Sequence, residues 1–137
     1  MTAKPPKVLF VCIHNAGRSQ MAEAFARALG LDAHSCGSAP GENVNPSAVE
    51  AMREKGIDIS KKQPKGFDAV PRGDFVVTMG CGDACPYVPG VRHDWALPDP
   101  HGKGVEAVRP ILDDIEKRVS ALAQEINAAS SIRKDKS

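Results

Sequence analysis

The sequence carries almost no excess charge of either sign. Its 18 Lys and Arg against 17 Asp and Glu leave a formal net charge of +1 and a pI near 7.7. A chain this close to neutral has no electrostatic reason to bind nucleic acid or an anionic membrane. No apolar run approaches the length of a membrane span. The opening Met1–Pro6 lacks the apolar core of a signal peptide, so a cytoplasmic location is the expectation. Repeats and internal linkers are missing too, and 137 residues read as one domain. The second Cys/His pair that a structural zinc site would need is also lacking, and no metal is expected.

What is present is a balanced globular composition, 42% apolar and 26% charged. Four cysteines in a chain without an export signal argue for thiol or redox chemistry over structural disulfides. One of them closes the most informative stretch. Val8-Leu9-Phe10-Val11-Cys12 is an apolar run of the kind buried on both faces of a sheet. Five residues separate Cys12 from Arg18, and beyond Ser19 the positions Met21, Ala22, Phe25, Ala28 and Leu29 follow a helical period. Strand, tight loop and helix thus place a cysteine at the carboxyl end of a strand, where open α/β sheets bind ligands.

In such a loop the backbone amides of Ile13, His14, Asn15, Ala16, Gly17, Arg18 and Ser19 form an anion nest, reinforced by the positive end of the helix. Arg18 is suited to grip two oxygens of a tetrahedral oxyanion. Gly17 is expected to supply a positive φ. Cys12 lies at the bottom of this field as a nucleophilic thiolate, with Ser19 placed to donate a hydrogen bond to its sulfur. The competing reading is a core cysteine at the end of a strand.

Residues 1–6 read as a loose lead. Strands are expected over 7–12, 32–38, 75–79 and 91–95, and helices over 19–30 and 46–55. Gly30 and Gly56 serve as C-terminal stops, and Asn45 caps the second helix ahead of Pro46. Ala48, Val49 and Met52 face inward. Ile57–Ile59 is a short extended piece, Lys61-Lys62-Gln63-Pro64-Lys65 a solvated basic loop, and Phe67–Val70 a helical turn. The final helix presents Val108, Ile111, Leu112, Ile115, Val119, Leu122 and Ile126 on one face, with Pro110 near its first turn or at a kink. Residues 131–137 read as a disordered tail after a single domain, 1–130. The alternation of strands and helices predicts an α/β fold, a doubly wound, four-stranded parallel sheet with helices on both faces.

Cys81 and Cys85 follow the 75–79 strand. If that strand runs parallel to the first, their loop opens on the same edge as Cys12, and a redox pair is a better reading than zinc ligands. Asp99 stands between two prolines, as either a general acid or an ordinary turn aspartate. Trp95 could wall the pocket or belong to the core. Cys36 reads as packing, and His14 either tunes the anion loop or faces solvent.

The stretch Cys12-Ile13-His14-Asn15-Ala16-Gly17-Arg18-Ser19-Gln20-Met21-Ala22-Glu23 resembles the signature of the low-molecular-weight tyrosine phosphatases and of the arsenate reductases built on the same fold. Val44-Asn45-Pro46, Ala51-Met52, Gly56-Ile57-Asp58-Ile59-Ser60, Val76-Val77-Thr78-Met79, Asp94-Trp95 and Asp99-Pro100 with Gly102 continue the reductase pattern over nearly the whole chain. The resemblance implies a low-molecular-weight phosphatase-like fold, with Cys12 as nucleophile, Arg18 as oxyanion clamp and Asp99 as general acid. Asn15 would brace the loop and Ser19 would bond the thiolate. No bound cofactor is implied. The implied reductant is an external thiol: thioredoxin, or mycothiol or glutathione with a glutaredoxin-type partner. The short spacing of Cys81 and Cys85 departs from thioredoxin-coupled members and resembles those coupled to a small thiol. Some related reductases hold potassium near the loop. Asn15, Glu23 and Ser35 match that site, but Gln63 and Lys65 stand where further ligands should be, and a lysine repels a cation.

The resemblance therefore implies an enzyme that reduces arsenate to arsenite; a monomer is expected. Cys12 attacks arsenate, Asp99 protonates the departing oxygen, and a second thiol attacks the Cys12–arsenic adduct. That thiol is Cys81, with Cys85 resolving the disulfide, or a small molecule. The alternatives are phosphomonoester hydrolysis through the same Cys12, Arg18 and Asp99, or a non-catalytic module that binds arsenite or a metal. Against the phosphatase, His101-Gly102 follows Asp99-Pro100 where tyrosine phosphatases of this fold carry a tyrosine pair.

Overall fold

The computed structural model describes residues 6–79, 91–98 and 102–135. In chain order these form β1 (Lys7–Cys12), α1 (Arg18–Ala28), β2 (Asp32–Gly37), α2 (Pro46–Glu54), a 3-10 turn (Phe67–Ala69), β3 (Phe75–Thr78), β4 (Val91–Asp94) and α3 (Val105–Asp135). The four strands are all parallel, in the order β2-β1-β3-β4. β1 is flanked on both sides: Cys12 lies opposite Gly37 of β2, and Val11 opposite Thr78 of β3. A central parallel strand is buried on both faces, which is why β1 reads as an unbroken apolar run.

Its side chains alternate between two cores. Val8, Phe10 and Cys12 join Phe75 and Val77 beneath Met21, Ala22 and Phe25 of α1, Ala48, Ala51 and Met52 of α2, and the apolar stripe of α3. All seven stripe residues expected in α3, from Val108 to Ile126, are buried. Leu9 and Val11 point the other way with Cys36 and Val76, against Phe67 and Val70. Among the described residues, then, the α-helices lie on one face and the 3-10 turn covers the other. The chain steps from β1 to β2 through α1; the return from β2 to β3 first lays α2 beside α1 and α3 and then carries the 3-10 turn across the opposite face. Pro64, Gly66 and Pro71 keep that last part too broken for an α-helix.

Both stops predicted for the first two helices are Schellman turns. Gly30 (φ 86) donates to the Arg27 carbonyl and Leu31 to that of Ala26, each at 3.0 Å. Gly56 (φ 80) and Ile57 repeat the pattern on Arg53 and Met52 at 2.9 and 3.0 Å. Asn45 caps α2 by accepting from Ser47 N–H at 2.8 Å.

Three details differ from the sequence pattern. Ala28 and Leu29 are exposed, because the chain is already turning into Gly30, and every residue of α1 from Arg18 to Ala26 is buried instead. In α2 the inward position expected of Val49 is only half-buried, and Ala51 takes it. α3 continues to Asp135, into the stretch read as a disordered tail; after Pro110 it meets no further proline or glycine to stop it. Among the described residues, no helix is long and apolar enough to cross a membrane.

Candidate active site

The strand order reverses between β1 and β3, and Cys12 ends β1 at that switch point, the place where α/β sheets bind ligands. The loop from Cys12 to Gly17 is shaped by what its carbonyls do. Those of Cys12, Ile13 and His14 accept from the N–H groups of Ser38, Ala39 and Gly41 at 3.2, 2.8 and 2.9 Å. Asn15 C=O accepts from Gln20 Nε2 at 3.1 Å, that of Ala16 from Asn45 N–H at 2.7 Å, and that of Gly17 from Met21 N–H at 2.9 Å. Within a trans peptide the C=O and the following N–H point opposite ways. Carbonyls anchored outside therefore turn the amides inward, and a ring of donors surrounds the space above Cys12. α1 begins at Arg18 and adds the positive end of its dipole.

The positive φ expected of Gly17 belongs to Asn15 (φ 53); Gly17 is the N-cap of α1, at φ −141. Asparagine tolerates this region better than other side chains, and here it is fully buried and heavily bonded. Its N–H donates to Cys12 Sγ at 3.2 Å, and its Nδ2 donates to Ser19 Oγ at 2.7 Å. Its Oδ1 accepts from Gln20 Nε2 and from Lys65 N–H, both at 3.0 Å. Ser19 Oγ lies 2.8 Å from Cys12 Sγ. Ser19 Oγ has one proton and two lone pairs, so it can accept from Asn15 and still donate to the sulfur. The Asn15 N–H and the Ser19 hydroxyl thus both meet Cys12 Sγ and hold it in place at the base of the loop.

Arg18 is 4% exposed, and its Nη1 donates to Leu97 C=O at 3.1 Å. A cleft of about 440 Å³ opens above the loop, with Cys12 and Arg18 at its base and His14, Asn45, Ser47 and Lys103 along its walls. Ser47 Oγ donates to Lys103 C=O at 2.9 Å, tying the stretch before α3 to the start of α2. His14 is exposed at the rim. Trp95 is core: it is 8% exposed, its ring lies 6.0 Å from that of Phe10, and the Arg118 guanidinium sits 5.9 Å from its centre. Cys36 is packing, and burial, with the Cys12 sulfur nearby, pushes its thiol up to about 12. Asp99, Cys81 and Cys85 lie outside the described residues. β3, which precedes the two cysteines, does run parallel to β1, with Met79 N–H donating to Val11 C=O at 2.8 Å.

Two features were not legible in the sequence. Gly37 lies so close to the loop that a Cβ there would sit 2.5 Å from Ile13 C=O and 2.9 Å from Asn15 N. The loop 61–65, read as solvated, in fact binds a buried carboxylate. Glu23 is 1% exposed; Lys62 Nζ donates to its Oε2 at 3.0 Å, Lys65 Nζ lies 3.6 Å from its Oε1, and Ser35 Oγ donates to Oε1 at 3.0 Å. Burial raises the carboxyl, but the two ammonium groups and Ser35 outweigh it and hold Glu23 below the usual carboxylate range. The Lys65 ammonium, 3.5 Å from Ser35 Oγ, stands among the potassium ligands that the resemblance names, so this donor set does not suit a bound cation. Among the described residues, no group of three His, Cys, Asp or Glu side chains converges to hold a metal.

Residues 7–132 match the model of the low molecular weight phosphotyrosine protein phosphatases, and the chain belongs to that family. Within it, the chain stands with the arsenate reductases. A Halobacterium salinarum protein provisionally named an arsenate reductase is 42% identical over 130 residues, 86% of this chain and 91% of that one. The glutaredoxin arsenate reductase of a Synechocystis species is 36% identical, over 88% of this chain and 98% of its own. The structure of an arsenate reductase in the phosphate binding state superposes with a TM-score of 0.78 at 36% identity, covering 88% of this chain and 98% of that one. The Corynebacterium glutamicum thioredoxin-dependent arsenate reductase gives 0.75 at 34% identity, covering 93% and 64%.

Proposed function

We propose that this protein reduces arsenate to arsenite, with Cys12 as the nucleophile and an external thiol as the electron source. The observation that carries the reading is the buried sulfur bonded by Ser19 and Asn15 beneath a ring of inward amides, with Arg18 beside it. This is a seat for a tetrahedral oxyanion directly over a nucleophile. The Cys12 thiolate attacks arsenic and displaces one oxygen, which leaves as water once protonated. Asp99 supplies that proton. Its support is the resemblance, together with its neighbours: Leu97 is held by Arg18, and Lys103 lines the cleft. A second thiolate then attacks the Cys12 sulfur. The new S–S bond forms as the S–As bond breaks, the bonding pair passes to arsenic, and arsenite departs. Cys81 is our candidate for that thiol and Cys85 for the one that resolves the disulfide. A small thiol entering the cleft is the alternative, and the two named relatives, one glutaredoxin-linked and one thioredoxin-dependent, support the two kinds of reductant equally. Free thiols need a reducing compartment, so we place the reaction in the cytoplasm.

The test is arsenite formation from arsenate with purified protein and either thioredoxin with its reductase or a small thiol with glutaredoxin. Turnover with at least one donor, and none for Cys12→Ser, is the expected result. Arsenite release from neither donor would sink the proposal. Cys81→Ser and Cys85→Ser then separate the routes: loss of turnover with thioredoxin assigns the relay to the chain, and full activity of the double variant with the small thiol assigns it to the external one. A weak phosphomonoesterase activity on p-nitrophenyl phosphate, abolished by Cys12→Ser, is also expected from a site that needs only nucleophile, clamp and acid.

A further inference from the structure

Behind the anion loop lies a charged cluster that the chemistry above does not use. Glu23, one turn beyond Ser19 on α1, binds Lys62, Lys65 and Ser35 in a nearly closed space. The segment carrying the two lysines is also stitched to the loop by its backbone. Lys65 N–H donates to Asn15 Oδ1 at 3.0 Å, Lys65 C=O accepts from Gly37 N–H at 2.9 Å, and Gln63 C=O accepts from Gln20 Nε2 at 3.2 Å. Asn15 in turn bonds Ser19 and the Cys12 sulfur. A short chain of contacts therefore runs from the lysine ammonium groups, through Glu23 and the 61–65 backbone, to the nucleophile.

We infer that Lys65, seconded by Lys62, is a built-in cation that positions the anion loop. Its ammonium balances Glu23 and Ser35 where a bound monovalent ion would otherwise be needed, and so holds 61–65 against Asn15. A charge fixed to the chain does not dissociate and repels any second cation from the same place. Lys65 is thus a positioning residue, acting on Cys12 through Asn15. For the turnover measurement below, this rests on the activity proposed above.

The experiment uses the full chain in choline chloride, which keeps ionic strength constant without a small cation. Iodoacetamide alkylation of Cys12, followed by the mass of its peptide, and arsenate reduction are measured before and after potassium or ammonium chloride replaces the choline. The wild-type protein is expected to respond to neither salt. Lys65→Ala is expected to alkylate about tenfold more slowly in choline, the scale of one lost charge-assisted hydrogen bond. It should recover most of that in potassium or ammonium, with the arsenate KM following the same pattern and kcat changing less. Lys65→Arg keeps wild-type rates in choline. The inference is overturned by potassium stimulation of the wild type, by a Lys65→Ala protein that reacts at the wild-type rate in choline, or by a loss that no cation restores. If Lys65→Ala does not fold, the salt response of the wild type and the rate of Lys65→Arg decide. Alkylation needs no arsenate. A protein that shows the cation pattern but reduces no arsenate therefore refutes the activity and keeps this inference, whereas normal reduction without the pattern does the reverse.

Discussion

Asn15 is the residue on which the nucleophile's surroundings turn. Its side chain and N–H make the bonds that fix Ser19, Gln20, the 61–65 backbone and the Cys12 sulfur, and its own backbone occupies a region where few side chains sit without strain. Asn15→Ala should lose those side-chain bonds and keep the strain, a cost on the order of 2–4 kcal/mol, measurable by urea denaturation. Asn15→Gly relieves the strain but restores no bond, so part of the stability should return while Cys12 alkylation stays slow. Equal alkylation by wild type and Asn15→Gly would remove Asn15 from the site. Gly37 gives a second test. A methyl group there must push the loop at Ile13 and Asn15, so Gly37→Ala should raise the arsenate KM by at least about tenfold while thermal stability falls. An unchanged KM would mean that the loop yields without loss of shape.

At the scale of elements, what the sequence made legible was whatever depends on neighbours in the chain. β1 announced itself by its unbroken apolar run, α3 by its stripe, and the ends of α1 and α2 by Gly30 and Gly56. What depends on distant partners stayed hidden. The positive φ was expected at Gly17 because glycine permits it, yet the loop's anchors at 38–45 place it on Asn15. The loop 61–65 looked solvated because its partner, Glu23, stands 39 residues away from Lys62 on a helix face that reads as polar. That pairing has a pH consequence for α1. The Glu23 carboxyl is held below its ordinary range in the folded state, so its contribution is complete above the unfolded value and is lost as pH falls through the folded one. Glu23→Gln should cost roughly 1.5–3 kcal/mol at pH 7, the scale of a hydrogen bond to a charged group, and less on acidification. Melting curves of both proteins from pH 7 down to pH 3 should therefore converge; a gap that stays constant would show that the charge of Glu23 contributes nothing.

For the molecule as a whole, we take residues 1–130 as the cooperative unit, since among the side chains described the last buried one in α3 is Ile126. A chain ended at Ser130 should unfold in one transition, with stability within about 1 kcal/mol of the full chain. A larger loss, read from urea midpoints, would extend the unit into 131–137. The parallel sheet also sets an order of events. No strand of such a sheet pairs with its immediate neighbour through a tight hairpin, so every pairing waits for a long connection to be made. On the ribosome, Cys12 emerges before the rest of its site. The amides that anchor its loop belong to residues 38–45, the β3 pairing waits for residue 78, and the α3 stripe that covers the core ends at 126. The sulfur is therefore the first part of the site to be synthesised and among the last to be enclosed. During that interval nothing in the fold shields it from oxidation or disulfide exchange, and the yield of active protein should depend on how reducing the surroundings are while the chain is being made.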